Sequence, residues 1–348
     1  MRRVSKLAAT VAATAALALT ASACGSDDST GSGGSSGGGT GEGAAIAFDV
    51  GGRDDASFNE AAARGADKAK NDLGVETYYQ TARDDETDAD REQRLQQMAE
   101  AGYNPVIGVG YLYGPSVERV AQEFPDTTFG VVDAVAEGDN VYSMIFAEHE
   151  ASYLAGVAAA LKSETGKVGF IGGVDTTLIN KFQAGYEQGA KDTDPEIEVD
   201  VQYLYTDDPK GFTDVAKAKE QANGMLGRDV DVIYTAAGLA GNGSIEEVAS
   251  AENAWAIGVD SDQAEQPGLA EYKDSILTSA IKGVDVAVFD LISSIDSDDP
   301  MSGTGEYGLA NDGVWLATSG GHIDDIADEL DEAKRRIVEG ETEVSDTP

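Results

Sequence analysis

One cysteine, Cys24, stands in a chain of 348 residues. A lone thiol excludes an intramolecular disulfide framework and any multi-cysteine metal site. Histidine is nearly as scarce, with His149 and His322 only. No G-x-S-x-G elbow accompanies them, and "HEASY" lacks the second histidine of a zinc-protease helix. Both histidines therefore read as helix-end residues, and the common hydrolytic arrangements are excluded. "GVGYLYG" (108–114) has the wrong last spacing for a dinucleotide fingerprint. Positive charge is short as well: 24 Lys and Arg face 64 Asp and Glu, for a net charge of -40. Such a chain is not built to bind nucleic acid or an anionic membrane surface. Its acidity suits a salty medium, in which self-repulsion is screened. Beyond the first 23 residues no apolar run is long enough to cross a bilayer.

Residues 1–23 read as an export signal, with Arg2, Arg3 and Lys6 ahead of an apolar stretch from Leu7 to Ala23. Removing them takes away three cations and moves the net charge from -40 to -43. Ala21-Ser22-Ala23-Cys24 resembles a bacterial lipobox, with Ala21 where leucine is usual. Cys24 is the expected lipidation site, and two acyl chains would anchor the protein stably. The Gly/Ser-rich residues 25–43 cannot bury apolar area and should reach roughly 24 Å as a flexible tether. The acidic run 84–92 has Ala89 where a calcium loop needs glycine, so no metal is expected there.

Short apolar runs recur at 44–50, 105–111, 128–134, 167–173, 229–238, 254–260 and 275–282. Helix-length segments separate them, at 57–73, 87–101, 148–163, 178–193, 213–226 and 283–296. This alternation predicts an α/β fold with doubly wound parallel sheets. About 300 ordered residues exceed one typical core, so two lobes are expected. Three runs end in aspartate: Asp49, Asp133 and Asp260. Together they suggest carboxylate acceptors around one cleft, beyond the carboxyl ends of the strands. Lys282, at the end of "ILTSAIK", would add a cation at the same rim. Ser57 and Glu60 match a capping box, which places Phe58 and Asn59 in the first helical turn beside that cleft. An aromatic ring there packs as core or serves as a binding surface.

Five ordered segments carry a resemblance: "DVGGRDDASFN" (49–59), "PDTTFGVVD" (125–133), "NVYSMIFAEHEASYLAG" (140–156), "GKVGFIGG" (166–173) and "WAIGVDSDQ" (255–263). Over residues 44–342 the chain resembles the basic membrane protein family. Those are lipoprotein substrate-binding components of ABC transporters with the type I periplasmic-binding-protein fold. The resemblance implies a purine nucleoside as ligand and no cofactor. It implies a monomer on the extracytoplasmic face of the cell membrane, delivering ligand to permease subunits. Carried over by motif, Phe58 and Phe212 would sandwich the base, with Asp49 and Asn59 at its edge. Asp133 and Asp260 would be polar contacts, Asp260 acting with Lys282 on ribose hydroxyls. Gly238 would let the ligand approach the backbone closely. "TDDPK" (206–210) reads as an insertion just before Phe212. A sugar or a small signalling molecule stays open as ligand, and a sensing module stays open as role. By family topology, lobe one is expected to take 44–148 and 264–298, and lobe two 149–263 and 299–342.

Overall fold

The computed structural model describes residues 41–83 and 85–348. The export signal, Cys24 and nearly all of the tether lie outside the described residues. In chain order the strands are β1 (Ala44–Phe48), β2 (Thr77–Thr81), β3 (Val106–Val109), β4 (Phe129–Val132), β5 (Val141–Phe146) and β6 (Lys167–Val174). β7 (Glu198–Tyr205), β8 (Val232–Ala236), β9 (Trp255–Asp260), β10 (Ile276–Lys282), β11 (Gly303–Tyr307) and β12 (Val314–Leu316) follow. The helices are α1 (Phe58–Leu73), α2 (Asp88–Glu100), α3 (Gly114–Glu123), α4 (Glu148–Lys162) and α5 (Thr177–Thr193). α6 (Val215–Leu226), α7 (Gly241–Ala249), α8 (Val284–Asp296) and α9 (Ala327–Val338) come after them.

Two six-stranded sheets result, in the orders β11-β5-β4-β3-β1-β2 and β12-β10-β9-β8-β6-β7. All these pairings are parallel except β10 with β12. The inner strands β1, β3, β4 and β8 are buried along their whole length, as a sheet covered on both faces requires. In β1, Ala44, Ile46 and Phe48 join the core that contains Ala62 and Leu291, while Ala45 and Ala47 face Leu95 and Val117. The edge strands β2 ("TYYQT") and β7 ("EVDVQYLY") are largely half-buried, so a search for apolar runs passes over them.

The lobe boundaries differ from the expected ones. β10 lies in the second sheet beside β9, although 264–298 is expected in the first lobe. α8 crosses to pack on α1, β11 pairs with β5, and β12 returns to β10. β10 is buried throughout, so it needs a neighbour on either side, and β9 and β12 supply them. Among the described residues the chain therefore crosses between sheets three times: after β5, after β10 and after β11.

Candidate functional site

Each sheet reverses its strand order once, between β1 and β3 and between β6 and β8. At such a point the loops diverge and leave a crevice beyond the strand ends. One cavity, about 580 Å³ including its open mouth, takes its lining from both switch points. All eight residues singled out from the sequence line it: Asp49, Phe58, Asn59, Asp133, Phe212, Gly238, Asp260 and Lys282.

Phe58 enters the cavity from the start of α1, but not through the expected capping box. The Ser57 side chain makes no cap bond. Its single O–H instead points to Asp260 Oδ2 at 2.7 Å, with the Val259 carbonyl as the alternative acceptor at 3.1 Å, tying α1 to the end of β9. Glu60 turns away to Arg64, Ser261 and Gln266. The cap is Asp55, whose carboxylate accepts from the backbone N–H groups of Ser57, Asn59 and Glu60 at 2.9, 2.9 and 3.0 Å. Three orphan donors of the first turn are satisfied by one buried side chain.

Asn59 is only 1 % exposed. Its amide donates to the Val50 carbonyl and to Asp55, and its Oδ1 accepts from the Asp49 backbone N–H. Both N–H bonds are thus spent inside the protein, and its clearest role is to brace the β1 turn that carries Asp49. Asp49 accepts at Oδ1 from the Val50 N–H at 2.8 Å. Its other oxygen lies where a side-chain carbon on Gly110 would approach to 2.4 Å, so glycine keeps that acceptor clear.

Asp133 and Asp260 both adopt left-handed backbone geometry, at φ 67° and 64°. That is uncommon for a residue with a side chain and is a form of strain that clusters at functional sites. Lys282 is 2.6 Å from Asp133 and 3.0 Å from Glu148, all three side chains being at most 4 % exposed. Its ammonium also faces the rings of Phe58, Phe146 and Phe182, at 5.2, 5.1 and 5.7 Å from their centres. Burial pushes the Asp133 carboxyl up to about 7 against the pull of Lys282, and the Asp260 carboxyl up to about 6. Burial alone would lower the lysine, but the carboxylates of Asp133, Glu148 and Asp260 outweigh it and raise Lys282 above its ordinary value. Acceptors held this dry attract a ligand that brings N–H and O–H donors.

Phe212 ends a short turn, Pro209–Phe212, opened by Asp208, whose side chain accepts from the Lys210 N–H. The unusual "TDDPK" segment thus builds the support of the ring. A side-chain carbon on Gly173 would come within 2.8 Å of two Phe212 ring carbons, so this glycine gives the ring its seat. Gly238 adopts φ 52°, as a close turn at the end of β8 requires.

Sequence reasoning missed Asp55, Tyr111, Leu178, Ile179, Phe182 and Leu239, all of which line the cavity. Residues 178, 179 and 182 share one face of α5, an apolar spacing that any packed helix shows. Tyr111 sits beside Asp49, and burial pushes its hydroxyl up to about 12. The histidines lie outside the lining. His149 is in the first turn of α4, whereas His322 is in a turn, its ring packed on Trp255 at 4.8 Å, rather than at a helix end.

A family described as Bmp, ABC transporter substrate-binding protein PnrA-like, matches residues 44–347. The chain belongs to this family. Within Bmp it is 36 % identical to a CD4+ T-cell-stimulating antigen of Listeria monocytogenes, over 87 % of this chain and 88 % of that protein. It is 35 % identical to the ABC transporter nucleoside-binding protein BmpA of Lactococcus lactis, over 86 % and 88 %. Among solved structures it is similar to an ABC transporter solute-binding protein of Aeropyrum pernix, with a TM-score of 0.76, 27 % identity, and 88 % and 93 % of the two chains covered. A Conexibacter woesei solute-binding protein, at 23 % identity and TM-score 0.68, covers 87 % and 98 % and shares the fold. As a Bmp protein, the chain is the substrate-binding component of an ABC transporter, and that family is one of binding proteins, not enzymes.

Proposed function

We propose that this Bmp protein captures a nucleoside, a purine nucleoside in particular, and delivers it to its permease from the extracytoplasmic face, held there by lipid on Cys24. The observation that carries the reading is the composition of the cavity between the switch points: the rings of Phe58 and Phe212 together with the dry carboxylates Asp49, Asp133 and Asp260. A base offers flat faces for the rings and N–H donors for Asp49. A ribose offers hydroxyls for Asp260 and Lys282. Base-on-ring stacking is worth roughly 1–3 kcal/mol and tolerates different bases, whereas buried carboxylates reject analogues that lack the donor. The nucleoside-binding name of the Lactococcus lactis relative supports the same ligand class.

Mass spectrometry of ligand released from the purified, denatured protein tests the reading directly. A nucleoside in the released fraction, and calorimetric binding of guanosine or adenosine well above that of glucose, is the expected result. Tight binding of a sugar with no response to any nucleoside overturns it.

A further inference from the structure

Glu148 does not line the cavity, yet its side chain is 1 % exposed. A lone carboxylate could not sustain such burial. Its place in the fold is specific: it opens α4, at the first crossover, while Lys282 closes β10, at the second. One Glu148 oxygen lies 3.0 Å from Lys282 Nζ, and the other lies 3.4 Å from Nζ of Lys181 on α5. Asp133, at the end of β4, holds Lys282 from the other sheet at 2.6 Å. A line of alternating charge, Asp133, Lys282, Glu148 and Lys181, therefore runs from the first lobe across the crossovers into the second.

An ammonium has three N–H bonds. Asp133 and Glu148 occupy two of its directions, and three aromatic rings surround the group. We infer that Glu148 is a positioning residue for ligand recognition: it holds Lys282 so that a single N–H is presented to the cavity. The inference rests on the nucleoside reading for the identity of the group that receives that N–H, a ribose hydroxyl, but not for the Glu148–Lys282 coupling itself. Without the Glu148 charge, Asp133 is the ion-pair partner left to the ammonium among the described residues and draws it toward β4, out of the position that the two carboxylates set together.

Two measurements test this. In ligand-free protein, the Nζ resonance of Lys282 is identified in 15N-lysine spectra by its loss in Lys282→Met. Glu148→Gln should shift it and speed its hydrogen exchange; an unchanged resonance overturns the coupling whatever the ligand is. Calorimetry with guanosine then forms a double-mutant cycle. Glu148→Gln should weaken binding about tenfold or more in the wild-type background and by less than about twofold in the Lys282→Met background. Equal losses in both backgrounds would mean a merely structural role and overturn the inference. Glu148→Asp, which keeps the charge, should recover most of the affinity; if Glu148→Gln fails to fold by circular dichroism, Glu148→Met, which also removes the charge at similar volume, takes its place in both measurements. If the wild type binds no nucleoside, the nucleoside reading falls, and the lysine spectrum alone decides the coupling.

Discussion

Phe58 is half-buried at the first position of α1, with its face toward Lys282 and the cavity. As a stacking surface it should matter about equally to nucleosides with different bases. Phe58→Ala should weaken binding by roughly 1–3 kcal/mol for guanosine and adenosine alike, with the fold retained by circular dichroism. Calorimetry showing unchanged affinity would make the ring core packing instead. Asp49 carries a different signature. Burial raises its carboxyl from 3.8 to about 6, although the Val50 N–H opposes the rise. Between those values the folded protein holds a proton that the unfolded chain has released, so stability falls as pH rises through the window. The penalty is absent below pH 3.8 and fully present above about pH 6, where a rise of this size corresponds to roughly 3 kcal/mol. Asp49→Asn should remove that part of the decline, as urea denaturation between about pH 4 and 7 would show. A ligand N–H donated to Asp49 favours its ionised form, so guanosine affinity should increase from about pH 5 to 7.5 in the wild type. That slope should be shallower in Asp49→Asn.

The start of α1 shows why an element must be read with its tertiary neighbours. A capping box predicts that Ser57 and Glu60 satisfy the first turn, yet Asp55 does so, because Ser57 is drawn to Asp260 and Glu60 to Arg64. Asp55→Ala would leave three backbone donors without their acceptor, in and beside buried positions, and should cost about 1–3 kcal/mol in urea denaturation. Ser57→Ala should cost about 1 kcal/mol, since the cap survives it. Equal losses would restore Ser57 as the cap. At the other wall, Gly173→Ala places a carbon 2.8 Å from the Phe212 ring and 3.0 Å from the Gly211 carbonyl. The ring must move, and overpacking of this kind costs roughly 1–3 kcal/mol. Nucleoside affinity should fall further than in a control substitution at Gly166, whose added carbon would meet nothing within 4 Å, even though Gly166, unlike Gly173, has a positive φ of 71°.

At the scale of the whole molecule the dominant fact is charge, -40 over the full sequence. Repulsion between exposed carboxylates is screened within about 10 Å at 0.1 M salt and 3 Å at 1 M. The melting temperature should therefore rise between 0.05 and about 1 M potassium chloride, before any salting-out contribution, which sulfate and chloride series would separate. A flat or falling curve would mean that local ion pairs outweigh the net repulsion. Cys24→Ser, in cells, should move the protein from the membrane to the soluble fraction while leaving nucleoside binding intact. Unchanged membrane retention would reject the lipid anchor.

The sequence by itself determined the α/β alternation, because strands buried on both faces must be continuous apolar runs. It also marked the cleft, since Asp49, Asp133 and Asp260 end three such runs and Phe58 follows one of them. Those signals are local: each lies within one strand or one turn. Only the tertiary structure decided that β10 stays beside β9 while β11 joins β5 in the first sheet, because a strand's partner depends on which edge is free. It alone brought Glu148 and Phe182 to Lys282, and Ser57 to Asp260, across separations of 100 residues or more. Periodicity records which face of an element is buried. What that face meets is chosen by packing and by the pairing of buried charges, and these exist only once the chain has folded.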